Sequence, residues 1–415
     1  MAAFAASACC RPPSSKGGHD SASGEPFTGT NAEVSGVDST PVGDTESPGA
    51  SAACSACTNL LPPQQNVTDW SDARLDDEWT YHATEQMAGR LSSEPFEAQE
   101  ELTTRSDLLD WQLRTRETFL SLLRVDAAAW PDTPLKVRYL QSDNFDGYVR
   151  HKIDYLVEPG QRIPAYLFVP SNGPRPGPAV LFWHGHGDGG KDQAAGIPPY
   201  TEADDYHHAG AERLAQAGYI VLAPDVRSFG ETGSYHTGDW KQHEHFTQML
   251  LLHGRVALGV FLEDAKKALD VLESLPEVDG TRIGVGGVSL GGQLSLYLAA
   301  TDPRIKVAVV QGYLASFHGT DLSWLHCVCQ YIPMMGRTMD FSDIAMLAAP
   351  TPLRFVMGNR DPRFTPTESQ EQFDRLEPAW DLLDAGDHLS MVRHAGGHEW
   401  IEDAAEEWFD RFLRP

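Results

Sequence analysis

The chain has 415 residues, 41% of them hydrophobic, and a formal net charge of −27. Such an acidic balance disfavours nucleic acid and anionic membrane surfaces as partners, and no run of about eighteen apolar residues is present to span a bilayer. Length alone allows two or three domains.

Residues 1–70 are rich in Ser, Gly, Ala, Thr and Pro and poor in large aliphatic side chains. They carry too little apolar surface to offset the entropy of ordering and read as a disordered low-complexity leader. "MAAFAASACC" has no Lys or Arg before a short apolar stretch, a poor secretion signal. A cytoplasmic location is expected, with a transit or anchoring leader as the alternative. Among the six cysteines, Cys54 and Cys57 have the spacing of a metal or redox pair, yet no second pair completes a zinc site in the leader. Cysteines this sparse suit an intracellular chain.

Residues 71–130 read as an N-terminal helical extension. Within them Leu108, Trp111, Thr115, Phe119 and Leu122 recur at helical spacing, with Ser106 as the expected N-cap. Residues 131–415 form the expected catalytic domain. "VRHKIDYLVEP" and "RIPAYLFVP" alternate as an antiparallel pair. Apolar runs then alternate with helical patterns: "PAVLFW", "YIVLAP", "RIGVGGV", "IKVAVVQ", "PLRFVMG" and "HLSMVRH", closing on the helix "EWIEDAAEEWFDRFL". That rhythm predicts an α/β fold with a mostly parallel central sheet, helices on both faces and the helical extension before it. Sites in such sheets lie beyond the carboxyl ends of the strands.

Gly287-Val288-Ser289-Leu290-Gly291 falls where a strand ends and an apolar helix begins. A serine on a sharp turn needs neighbours without side chains, because strand and helix approach closely there. Its partners should be an acid after a later strand and a histidine after the last strand. Asp361, in "GNRDP", and His398, in "AGGHEW", stand in those places. His394 is a rival base at the end of the strand pattern. Asp340 and Asp343 are rival acids, set before the strand that should precede the acid. The expected roles are Ser289 as nucleophile, His398 as general base and acid, and Asp361 as the group that orients it. The backbone N–H groups of Leu290 and His186, the latter in "HGHGDGG", are the expected oxyanion donors. His184, His186 and Asp188 form a chelating pattern, since His-x-His can bind a metal, but no metal and no organic cofactor is assigned. The histidines of "DYHHAG" and "WKQHEHF" could add ligands or line the pocket, but read first as loop and surface residues. Arg227 and Glu231 are candidates for pocket electrostatics or else for an ion pair with each other. The segment 312–350 is expected to border the pocket, through Phe317, Trp324, Tyr331 and Met334.

Taken together, these motifs resemble the α/β-hydrolase superfamily, and more narrowly its dienelactone-hydrolase-like or acetyl-xylan-esterase-like branch. The likeness runs from about Leu108 to the C-terminus and includes "LHCVCQYIP", Leu325 to Pro333. It implies a serine esterase acting on small or carbohydrate-borne esters through an acyl-enzyme. A true dienelactone hydrolase has a cysteine where this chain has Ser289, which turns the expectation towards carboxylic esters. A peptidase or C–C bond hydrolase on the same triad, and a catalytically silent binding protein, are the alternatives. Oligomeric state is not legible.

Overall fold

The computed structural model describes residues 102–125, 133–201, 203, 205–233, 241–320 and 326–414. The leader, with Cys9, Cys10, Cys54 and Cys57, lies outside the described residues, as do Trp324 and most of the expected extension. What is described of that extension is helix α1, Arg105–Leu122. Its N-cap is Thr104, two residues earlier than expected, because Thr104 and Asp107 close a reciprocal capping box. Leu108 and Phe119 are buried beneath it. Gln112 donates to the Met346 and Ala349 carbonyls, and Arg116 donates to those of Ala300 and Leu347.

Nine strands form one sheet: β1 Arg138–Phe145, β2 Tyr148–Glu158, β3 Gln161–Pro170, β4 Gly177–Trp183, β5 Ile220–Pro224, β6 Val278–Val288, β7 Ile305–Gln311, β8 Leu353–Gly358 and β9 Leu389–His394. Their order is β1-β2-β3-β5-β4-β6-β7-β8-β9. Pairings are antiparallel from β1 through β3 to β5, and parallel from β5 to β9. The mostly parallel sheet of an α/β-hydrolase fold is therefore present. β1 was not among the expected strands. Its eight residues, RYLQSDNF, are almost all exposed, so no apolar alternation marks this edge.

Adjacent residues of the buried strands serve opposite faces. Leu181, Val285, Ala308 and Val310 pack with helices α4, Ala257–Ser274, and α5, Leu290–Thr301. Val180, Phe182, Val307 and Val309 pack on the other side with α2, Gly210–Gln216, and α8, Glu402–Leu413. Further helices among the described residues include α3 Lys241–Leu252, α6 Phe341–Met346 and α7 Pro366–Asp374. Asp340 and Asp343 form the capping box of α6, which accounts for both of the rival acids. Register aligns the strand ends: Trp183 pairs with Gly287, Val288 with Gln311, Gln311 with Val356, and Gly358 with His394. The loops after β4, β6, β7, β8 and β9 thus leave the sheet along one edge. No helix among the described residues is long and apolar enough to cross a membrane.

Candidate active site

Ser289 occupies the turn between β6 and α5 with φ +63° and ψ −123°, a backbone conformation that costs a non-glycine residue free energy. Its neighbours leave no room for side chains. A Cβ on Gly287 would lie 2.4 Å from the Trp183 carbonyl oxygen, and one on Gly291 2.0 Å from that same oxygen. Serine is thus pinned against the end of β4, and its N–H donates to the Gln311 carbonyl at the end of β7 (2.9 Å).

Asp361 and His398 meet across the ends of β8 and β9. His398 Nδ1 lies 2.6 Å from Asp361 Oδ2, while the N–H groups of Arg363 and Phe364 donate to Asp361 Oδ1. Burial pushes the Asp361 carboxyl up, but the His398 bond and the two backbone donors outweigh it and hold the group below its ordinary range. The imidazole sits between Phe364 and Tyr206, and its buried Nε2 has no hydrogen-bond partner. The turn after β7 links this pair to the serine. Gln311 receives the Ser289 N–H, and a Cβ on the next residue, Gly312, would lie 2.9 Å from the His398 ring. The Gln311 amide also pairs twice with the Ile401 backbone, at 2.7 and 3.0 Å, anchoring the loop that carries His398. Sequence reading missed Gln311, since a lone glutamine at a strand end carries no pattern.

The loop after β4 packs against the serine: a Cβ on Gly185 would fall 2.9 Å from Ser289 Cβ. Two buried imidazoles hold it. His184 Nε2 accepts the Val226 N–H (2.8 Å), and burial pushes this ring down to about 3. His207 Nε2 accepts the Gly185 N–H (2.8 Å), with Asp205 on its other nitrogen. His207, from "DYHHAG", is fully buried and not a surface residue. Tyr206 donates its hydroxyl to the His186 carbonyl (2.8 Å). Lys191, also overlooked, is completely buried against Asp225 and Glu231. Asp225 and Glu231, contributed from another part of the chain, together with the adjacent Asp192 make its burial tolerable.

Other expectations need correction. Arg227 and Glu231 do not pair with each other. Arg227 grips Asp264 with two nitrogens and also meets Glu158, while Glu231 bonds Lys191 and Lys152. Both charges are spent on holding loops. Phe317 is buried edge-on against Phe341 and so belongs to the core. Tyr331 and Met334 are partly exposed. A cavity of about 170 Å³ beside α1, lined by Trp111, Met346 and Leu382, shares no lining residue with Ser289, Asp361 or His398.

The chelating pattern His184, His186 and Asp188 does not assemble, because His184 is committed to backbone and Asp188 is exposed. Instead His186 meets His243, Cys327 and Cys329, their four ligand-type atoms all within 4.8 Å of one another. Neither cysteine is in a disulfide. His243, from "WKQHEHF", is buried, not superficial.

The Abhydrolase family matches residues 66–373. The chain belongs to this family. This α/β-hydrolase is 32% identical over 245 residues to YtaP of Bacillus subtilis (strain 168), covering 57% of its own length and 78% of that protein. It is 32% identical over 113 residues to the acetyl esterase Axe7A of Xylanibacter ruminicola, covering 25% of this chain and 26% of that one. Among solved structures, a Bacteroides fragilis protein assigned as an acetyl xylan esterase superposes with a TM-score of 0.63 at 19% identity, over 80% of this chain and 89% of that one. A glucuronoyl esterase from Solibacter usitatus superposes at 0.57 and 15% identity, over 77% and 96%. These superpositions speak to the fold.

Proposed function

We propose that this α/β-hydrolase is a serine esterase that cleaves carboxylic esters through an acyl-enzyme. The observation that carries the reading is a strained Ser289 and an Asp361-bound His398 brought against the same turn, Gln311–Gly312. His398 Nε2 takes the Ser289 hydroxyl proton as Oγ bonds to the ester carbonyl carbon. Asp361 keeps the other ring nitrogen protonated and stabilises the imidazolium. The oxyanion is received by the N–H groups of His186 and of Leu290, the first residue of α5, where helix donors lack intrahelical partners. The carbon–oxygen bond to the alcohol then breaks, and the alcohol leaves with the proton from His398. Water, deprotonated by the same imidazole, attacks the acyl-enzyme and releases the acid and Ser289.

Small or carbohydrate-borne esters are the substrate class we infer, acetyl esters first. Support comes from the acetyl esterase relative and from the esterase names borne by its structural neighbours. The test is turnover of p-nitrophenyl acetate together with labelling by a fluorophosphonate. Ser289→Ala should lower kcat/KM at least ~1,000-fold and abolish the label. Equal turnover by both proteins would reduce Ser289 to a turn residue.

A further inference from the structure

We propose that His186, His243, Cys327 and Cys329 form a structural zinc site that ties the loop after β4 to α3 and to the segment around residues 326–330. The four residues come from three separate stretches of chain, and their donor atoms converge within 4.8 Å. Two thiolates and two imidazoles in a closed set are the ligands of tetrahedral structural zinc. With bonds of about 2.3 Å to sulfur and 2.0–2.1 Å to nitrogen, such a tetrahedron has edges of about 3.3–3.8 Å. The His186 Nε2 to Cys329 Sγ edge is already 3.3 Å.

A second, independent observation concerns the tautomer of His243. Ser228 Oγ lies within hydrogen-bond distance of both the Arg227 carbonyl and, at 2.7 Å, His243 Nδ1; with its single proton on the carbonyl, it accepts from Nδ1, the tautomer a zinc ligand at Nε2 needs. Nδ1 therefore carries the proton and Nε2 the lone pair. That Nε2 is buried without a hydrogen-bond partner, on a side chain only 4% exposed. Phe229 packs on both imidazoles, with ring centroids 4.0 Å from His243 and 5.5 Å from His186. A hydrogen-bonded outer shell and an aromatic wall are what orient metal-binding imidazoles. Cys329 is also buried, at 1% exposure. Without metal a thiol offers that lone pair at most a weak S–H bond, as Cys327 does beside His243, whereas a cation satisfies all four donor atoms at once. Zinc displaces one proton from each thiol to solvent, and two thiolates cancel its charge, so the buried site is neutral.

The site meets the reaction proposed above at His186, whose ring would bind zinc and whose backbone N–H is the proposed oxyanion donor; its test reads metal content and affinity and does not depend on activity. Full-length protein purified under reducing conditions without chelator should contain about one zinc per chain by mass spectrometry. Cobalt added to the metal-free protein should give thiolate-to-metal charge-transfer bands and the intense visible bands of tetrahedral cobalt. Cys327→Ser with Cys329→Ser should lose both the zinc and the bands. Replacing Cys9, Cys10, Cys54 and Cys57 by serine should keep them. Ser228→Ala, which leaves all four ligands in place, should weaken zinc about 10–100-fold in competition with a chromophoric chelator. Bands that survive the Cys327 and Cys329 changes, or vanish with the other four cysteines, would overturn the assignment. So would zinc affinity indifferent to Ser228, or a wild type that takes up no metal.

Discussion

Ser289 pays for its position with an unfavourable backbone angle, and the contacts that hold it there are the ones that would place it for the proposed chemistry. Its N–H bond to Gln311 and the close approach of Gly287 and Gly291 to Trp183 leave the turn no alternative path. Gln311 is the residue through which the two halves of the site are coupled, because its backbone holds the serine and its side chain holds the loop beyond His398. Gln311→Leu keeps the size but removes both amide bonds and strands two backbone groups of Ile401. Stability should fall by about 1–3 kcal/mol in urea unfolding. On p-nitrophenyl acetate kcat should fall up to about 100-fold with KM little changed, the mark of a misplaced base and not of lost binding. An unaltered kcat would limit Gln311 to a structural role. Ser289, Asp361 and His398 were legible as residues because each falls at a strand end in a recognisable order. Gln311 was not, since its side chain's partner, Ile401, is ninety residues away in the chain and nothing local marks it.

At the scale of elements, the loop after β4 is held from inside by imidazoles. His184 and His207 accept backbone N–H groups through nitrogens that must stay unprotonated. Burial pushes His184 down to about 3, against an ordinary value of about 6.5 in the unfolded chain. Between those values the unfolded chain binds a proton that the folded chain refuses, so stability is present above pH about 6.5 and lost as pH falls towards 3. At pH about 5 this amounts to about 2 kcal/mol. Urea unfolding of wild type and His184→Gln at pH 7 and at about 5 checks it: the wild type should lose about 2 kcal/mol more than the variant. Parallel losses would exclude His184 as the source. Helices and buried strands were predictable from periodicity. β1 escaped because an exposed edge strand needs no apolar face, and the Thr104 cap escaped because Ser106, a good cap by type, lay nearby.

For the whole molecule, the net charge of −27 sets its own condition on stability. Several acids of the fold share a cation in twos: Asp225 and Glu231 share Lys191, Asp264 and Glu158 share Arg227, and Asp302 and Asp270 share Arg304. The unmatched excess repels itself and does so less in salt, since the Debye length shrinks from about 30 Å at 0.01 M to about 8 Å at 0.15 M. Melting temperature should therefore rise over that range of sodium chloride, by about 1–2 °C for each kcal/mol of repulsion screened. A flat or falling dependence in a calorimetric scan would mean that surface pairs, not the excess, dominate.

What the chain's sequence determined by itself is what short-range pattern can encode: alternating strands and helices, a glycine-flanked serine at a strand-to-helix turn, and an acid and a histidine at later strand ends. Only the tertiary structure decided which polar residues go inside. Lys191 and His207 are buried because partners from other stretches of the chain satisfy them, and burial of a polar group depends on those partners and not on its type. The same holds for Arg227 and Glu231, whose charges go to partners other than each other. The convergence of His186 and His243 with two cysteines likewise follows from strand order and loop packing, neither of which a linear spacing records.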